Sequence, residues 1–382
     1  MQMQVKRISL KNWRNFQEVD VALKSRTIIV GANASGKSNF LDVFRFLRDV
    51  ANVSGGGLQK ALADRGGLGK VRSLAARRNP NIVLDVELFD DSANTTWRYT
   101  LEIGQETAGK RRPIVKSEQV LCGNETLLDR PGRDDRTDPE RLRETHLEQV
   151  NSNQKFRPIA DFFSSVVYLH LVPQLLKYAD GIQGRPLEND PFGQGFLERI
   201  AQTSERKRTR RLHRIQAVLR KAVPQLEELQ FERDESSGKP HLKAKYSHWR
   251  VNDAWQREDQ FSDGTLRLIG LFWALQEDAG LLLLEEPELS LNGRIVSYLA
   301  PFIHQLQGKG QVLVTTHSSD LLSDPGIALD EVILLEPSTE ATTIRSAESL
   351  VDVVALVEGG LAIGTAILPH ATPAGIETLS SV

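Results

Sequence analysis

The pattern Gly31-x-x-x-x-Gly36-Lys37-Ser38 constrains this chain more than any other stretch, because of what flanks it. Thr27-Ile28-Ile29-Val30 before it reads as a buried strand, and Phe40, Leu41, Phe44 and Leu47 after it recur at helical spacing. Strand, glycine loop and helix in that order make a phosphate-binding loop. The glycines let successive backbone N–H groups turn inward around a β-phosphate, helped by the positive end of the helix. Lys37 would neutralise β/γ oxygens, and Ser38 would offer its hydroxyl to Mg²⁺. The bare pattern arises by chance in about one chain of this size in a hundred. A glycine turn with an exposed lysine is the plain alternative, and the strand and helix argue against it.

Alternation with period two, as in Val5 to Leu10 and Phe16 to Leu23, opens the chain and returns from Asn81 to Cys122. It predicts an antiparallel meander beside the phosphate loop. Ser54-Gly55-Gly56-Gly57 and Arg65 to Lys70 read as mobile surface loops. Residues 125 to 155 are charge-dense and read as a solvated linker. Apolar steps of three and four from Phe196 to Val223 predict one helix of about 25 residues, roughly 40 Å long. The last third alternates apolar strands (Leu281–Leu284, Val312–Val314, Val332–Leu335) with helical stretches, which implies a mostly parallel sheet covered on both faces.

Leu281-Leu282-Leu283-Leu284-Glu285-Glu286-Pro287-Glu288 places paired acids at the carboxyl end of a buried strand. Glu285 would hold magnesium and Glu286 would act as general base toward water. Without the phosphate loop these would be surface glutamates. Ser262-Asp263-Gly264-Thr265 stands at a helix start, where a hydroxyl and free N–H groups can grip an anion. Val314-Thr315-Thr316-His317-Ser318 sets a histidine just beyond a strand, within hydrogen-bonding chemistry of a γ-phosphate.

The order of these four motifs resembles the ABC-type ATPase heads of the SMC, RecF and OLD group. The opening Ile8 to Phe16 and Ile29 to Asn39 are similar to theirs, as is Glu285 to Leu291. The resemblance implies an α/β P-loop ABC-type ATPase head with a mostly parallel core sheet, an antiparallel β lobe and an inserted, mainly helical lobe. Its expected parts are residues 1–124, an inserted linker and helical lobe at 125–250, and 251–382 carrying signature, acids and histidine. It also implies a homodimer, or a higher oligomer, in which ATP and Mg²⁺ sit in composite sites. In this chain Gly31, Asn33, Ser35, Gly36, Lys37, Ser38 and Asn39 would bind ATP in cis, and Ser262 and Gly264 would bind it in trans. Ser38 and Glu285 would hold the metal, and Glu286, His317 and Lys37 would be catalytic.

Three departures stand out: Glu285 where aspartate is common, Asp263 where transporters have glycine, and Asn292 where close relatives often carry histidine. The glutamine that usually reaches magnesium has no clear place, with Gln149 and Gln154 as candidates. Only 65 residues follow His317, without the Asp-x-Asp pair of the nuclease domain that OLD-type proteins add, so a separate effector is expected to do any cutting.

Lys+Arg 48 against Asp+Glu 50 gives a net charge of −2, so any nucleic-acid contact must come from a local patch. Arg206, Lys207, Arg208, Arg210, Arg211 and Arg214 supply one, for DNA or for an acidic partner. The single cysteine, Cys122, excludes an intramolecular disulfide and multi-cysteine metal sites, and no apolar signal or membrane span is evident, so the expected location is the cytoplasm without membrane contact. The leading expectation is an ATPase whose dimerisation gates a partner or DNA, by analogy a component of anti-phage defence. The alternatives are an ATP-bound scaffold that barely turns over and a RecF-like DNA repair ATPase.

Overall fold

A computed structural model describes residues 3–53, 55–77, 79–107, 109, 111–178, 192–247, 255–277, 279–306 and 310–372. In chain order the strands are β1 (Met3–Trp13), β2 (Phe16–Ala22), β3 (Arg26–Gly31), β4 (Ile82–Asp90), β5 (Thr95–Gln105), β6 (Pro113–Cys122) and β7 (Glu125–Arg130). They continue with β8 (Val167–Leu169), β9 (Leu226–Arg233), β10 (Pro240–Tyr246), β11 (Trp255–Arg257), β12 (Leu281–Glu285), β13 (Gln311–Thr316), β14 (Val332–Pro337) and β15 (Thr342–Ser346). The first sheet runs β2-β1-β4-β5-β6-β7 and is antiparallel throughout. The second runs β15-β14-β3-β13-β12-β8, parallel except for its edge strand β15. A small antiparallel sheet, β11-β10-β9, forms the third.

The parallel strands are apolar on both faces because both faces are covered. Leu281, Leu283, Leu313 and Ile333 join the core shared with the antiparallel sheet and the helix Lys37–Ala51. Their neighbours Leu282, Leu284, Val312, Val314 and Leu334 enter a second core, under the helices Glu205–Ala222 and Asp263–Ala274. A period of two on a central strand thus separates two cores, and the carboxyl ends of β3, β12 and β13 are left to present side chains.

Three expectations from the sequence are corrected. The charged stretch after residue 125 is folded rather than a solvated linker: β7 extends the meander, and Arg130 lies buried with Glu118 and Asp135 at 2.9 and 2.8 Å. The repeat from Phe196 to Val223 forms two helices, Phe196–Gln202 and Glu205–Ala222. They part at Thr203-Ser204, where the Arg208 guanidinium satisfies the end carbonyls of Ala201 and Thr203. The glycine loop at Arg65 is anchored, since Arg65 pairs with Asp42 and Asp49 at 2.9 Å each and its side chain is buried. Ser54 and the boundary at residue 250 lie outside the described residues.

Candidate active site

The phosphate loop joins β3 to the helix Lys37–Ala51 through a tight turn. Gly36 has φ +101°, and a Cβ there would stand 2.1 Å from the Asn15 amide, so only glycine fits. Asn15 braces the loop: its amide nitrogen donates to the Ser35 carbonyl at 3.0 Å and to Thr342 Oγ1 at 2.7 Å. It accepts from Asn39 Nδ2 at 2.7 Å, and Thr342 Oγ1 donates to the same Ser35 carbonyl. The Ser35 carbonyl and the Asn39 side chain thus help hold the loop in shape, while Asn33 and Ser38 are exposed. Thr342, on the edge strand far along the chain, was not visible to motif reasoning.

Lys37 Nζ is turned onto the loop and donates to the Gly31 and Ala32 carbonyls at 3.0 and 3.2 Å. His317 Nε2 lies 2.7 Å from it and 3.1 Å from Glu286 Oε1. One ring nitrogen cannot serve a cation and a carboxylate equally, so this three-residue contact has valence to exchange. Burial lowers the Lys37 pKa despite the nearby glutamates. The hydrogen bond with His317, with the charge of Lys37 behind it, holds Glu286 below the ordinary carboxylate range, so Glu286 is ionised. Its backbone is strained at φ +45° and is pinned by N–H bonds to the Thr315 carbonyl and hydroxyl. Glu288 props the same corner, accepting from Thr316 Oγ1 at 2.5 Å and from the His317 N–H.

Glu285 accepts from Ser38 Oγ on one oxygen and from Tyr168 OH on the other. A hydroxyl and a carboxylate brought together at a strand end are the donor set that Mg²⁺ takes, so the residues present fit that metal. Tyr168 and His170, whose Nδ1 lies 3.3 Å from the Glu285 carbonyl, come from the end of β8. Gln149 bonds Glu144 and Ser152 within its own turn, and no hydrogen bond joins Gln154's side chain to the site among the described residues. A cleft of about 630 Å³ opens beside Ser38 and Asn39, lined also by Arg14, Arg45 and Arg65.

Ser262 caps the helix Asp263–Ala274, accepting from Thr265 N at 3.1 Å. Gly264 packs against the loop after the acids, where a Cβ would meet the Ser290 carbonyl at 3.2 Å. Among the described residues no hydrogen bond links Ser262 or Gly264 to Lys37, Ser38, Glu285 or Glu286. Asn292 caps the next helix by accepting from Arg294 N. On the helix Glu205–Ala222, Arg206, Lys207, Arg210 and Arg214 are exposed, as are Arg220 and Lys221. Arg208 and Arg211 turn inward instead, over the rings of Phe231 and Trp273 at 4.1 and 5.3 Å.

A phosphate loop at β3, acids at β12 and a histidine at β13 on one mostly parallel sheet define a P-loop ATPase-type fold. The chain belongs to the family described as "AAA domain, putative AbiEii toxin, Type IV TA system", whose model matches residues 26–324, well over half of it. Among solved structures it is similar to an Smc head bound to the C-winged helix domain of ScpA, with TM-score 0.56 and 15% identity over 91% of this chain and 99% of that one. An Smc head domain with an extended coiled coil from Pyrococcus furiosus gives TM-score 0.52 at 12% identity, over 93% and 100%. These likenesses speak to the fold. Endonuclease GajA of Bacillus cereus (strain VD045) is 45% identical over 47 residues, 12% of this chain and only 8% of that protein.

Proposed function

We propose that the chain binds and hydrolyses ATP with Mg²⁺ in composite sites between two copies, and that this assembly gates a separate effector. The observation that carries the reading is the meeting of Lys37, His317 and Glu286 beside the Ser38–Glu285 pair, where the first turn of the helix Lys37–Ala51 faces the carboxyl ends of β12 and β13. To receive a triphosphate, Lys37 exchanges the two loop carbonyls and His317 for phosphate oxygens. Glu286, ionised and held by Thr315, takes the proton of the attacking water, and His317, freed from Lys37, turns to the terminal phosphate. Bound Mg²⁺ supplies charge neutralisation, and Ser38 and Glu285 would hold it. Ser262 and Gly264, unbonded to this site in their own copy, would close the site of a second one, so the nucleotide's charge joins the two surfaces. The test is phosphate release by the purified chain together with its mass by light scattering with and without ATP. Turnover abolished by Glu286→Gln, with ATP-dependent mass doubling in that variant, is the expected result; a mass that ATP leaves unchanged sinks the composite site.

The exposed cationic face of the helix Glu205–Ala222 supports a second layer of this reading, sequence-neutral contact with duplex DNA. Arg206, Arg210 and Arg214 follow one another at four-residue steps, with Arg220 and Lys221 extending the stripe. Reversing Arg206, Arg210 and Arg214 to Glu is expected to abolish DNA binding, and the unaltered chain should show a steep salt dependence. Binding that survives the reversal would assign the face to an acidic protein partner instead. A role in defence is the biological setting that the family description, a putative toxin of a Type IV TA system, and the short match to an endonuclease favour.

A further inference from the structure

The signature stretch carries a carboxylate where, on the composite-site reading, an anion is to be received. Asp263 is the first residue of the helix Asp263–Ala274, next to the Ser262 cap. An acid in the first turn suits the helix itself, but it also lies beside the free N–H groups that would face a phosphate, and like charges repel. The structure shows how that charge is occupied. Lys177 Nζ donates to Asp263 Oδ1 and Gln174 Nε2 donates to Oδ2, each at 2.6 Å, so both oxygens are drawn toward one neighbouring segment. The Lys177 side chain is only 14% exposed, which makes the pair less screened than an ordinary surface bridge.

A second cation stands behind the first. Arg267, one helical turn beyond Asp263 and 8% exposed, lies in the field of Asp263, Glu288 and Glu286, and it has no hydrogen bond or ion pair among the described residues. Arg267 is shared among three acids, so Lys177 is the cation that meets Asp263 directly. The segment that supplies Lys177, the short helix Pro173–Lys177, begins a few residues after Tyr168 and His170, which meet Glu285. One stretch of chain therefore reaches from the metal-side carboxylate to the signature.

We propose that Lys177 is a positioning residue that neutralises Asp263, so that the Ser262–Gly264 helix start can accept the terminal phosphate of a nucleotide held by a second copy. The proposal rests on the composite-site reading. It explains why aspartate is tolerated at a signature position where glycine would bring no charge at all.

The test uses the full chain carrying Glu286→Gln, with mass read by light scattering across an ATP titration and nucleotide affinity read with a fluorescent ATP analogue at dilutions where the chain is monomeric. Lys177→Met is expected to weaken ATP-dependent association by about tenfold while analogue affinity changes by less than about twofold. Lys177→Arg should keep association, and adding Asp263→Gly to Lys177→Met should restore it, because the charge to be neutralised is gone. Loss in Lys177→Met that Asp263→Gly does not restore would reduce Lys177 to a structural residue and overturn the proposal, as would unchanged association in Lys177→Met. If the parent chain gains no mass with ATP, the composite-site reading fails first and takes the proposal with it.

Discussion

Two ionic clusters of this molecule, each joining cationic and acidic side chains, have opposite character. In the antiparallel lobe, Glu118, Arg130 and Asp135 are at most 4% exposed, and their valences are spent. Arg130 donates to both acids and to the carbonyls of Arg141 and Glu144, while Glu118 also accepts from Tyr99 OH and from the N–H groups of His146 and Leu147. At the phosphate loop, His317 and Glu286 are 35% and 27% exposed, and one ring nitrogen is shared between Lys37 and Glu286. A saturated cluster can only hold the fold; an unsaturated one at a strand end can trade partners. Accessible, exchangeable valence marks the site, more than charge or burial does.

The sharpest break between the two is Glu286→Gln. It should lower ATP turnover by about a thousandfold, since it removes the base, with little change in thermal unfolding. In the other cluster, Arg130→Met should cost about 3–5 kcal/mol in urea unfolding by stranding two buried carboxylates, while the folded fraction turns over ATP at the parental rate. If Arg130→Met slowed turnover without loosening the fold, the division between the clusters would fall.

An intermediate case sits beside the lobe cluster. Burial raises the Glu148 carboxyl to about 7, although it accepts from the N–H groups of Leu58 and Thr145. Its pKa is higher folded than unfolded, so the stability it contributes is full below about 4.5 and is lost as pH rises through about 7, at most about 3 kcal/mol. Glu148→Gln should therefore flatten the fall in unfolding temperature between pH 4.5 and 8 relative to the parent chain. Parallel curves for the two would show that this carboxyl ionises freely.

The parallel half was legible because its signals are local. Gly31 to Ser38 sits between a strand and a helix read from periodicity, and Glu285 and Glu286 close a four-leucine run. The P-loop ATPase class follows from those segments, and the family and fold comparisons agree with it. The lobe cluster was hidden because Arg130 and Asp135 are charged residues in a charge-rich stretch and Glu118 is a lone acid on a strand, and only tertiary pairing turns them inward. Arg208 and Arg211 were grouped with the exposed arginines for the same reason: a run of like residues does not say which ones meet Phe231 and Trp273. β8 is three residues long and carries no motif, so nothing in the sequence marked Tyr168 or His170.

Tyr168 gives the finest test of exchangeable against saturated contacts. Its ring lies under the Arg45 guanidinium at 4.2 Å, and its hydroxyl donates to the Glu285 oxygen that Ser38 does not use. Glu285 is one methylene longer than the aspartate common at this place, and an added torsion must be restrained if the carboxylate is to face a metal. Tyr168→Phe keeps the ring and its packing and removes only that restraint. The Mg²⁺ concentration that half-saturates nucleotide binding should rise by up to about tenfold, with turnover at saturating Mg²⁺ and unfolding temperature nearly unchanged. In a Glu285→Asp background the shorter carboxylate no longer reaches Tyr168, so Tyr168→Phe should then have no further effect. Equal losses in both backgrounds would mean that the hydroxyl acts by a route other than restraining the longer Glu285 side chain, and would overturn this role for Tyr168.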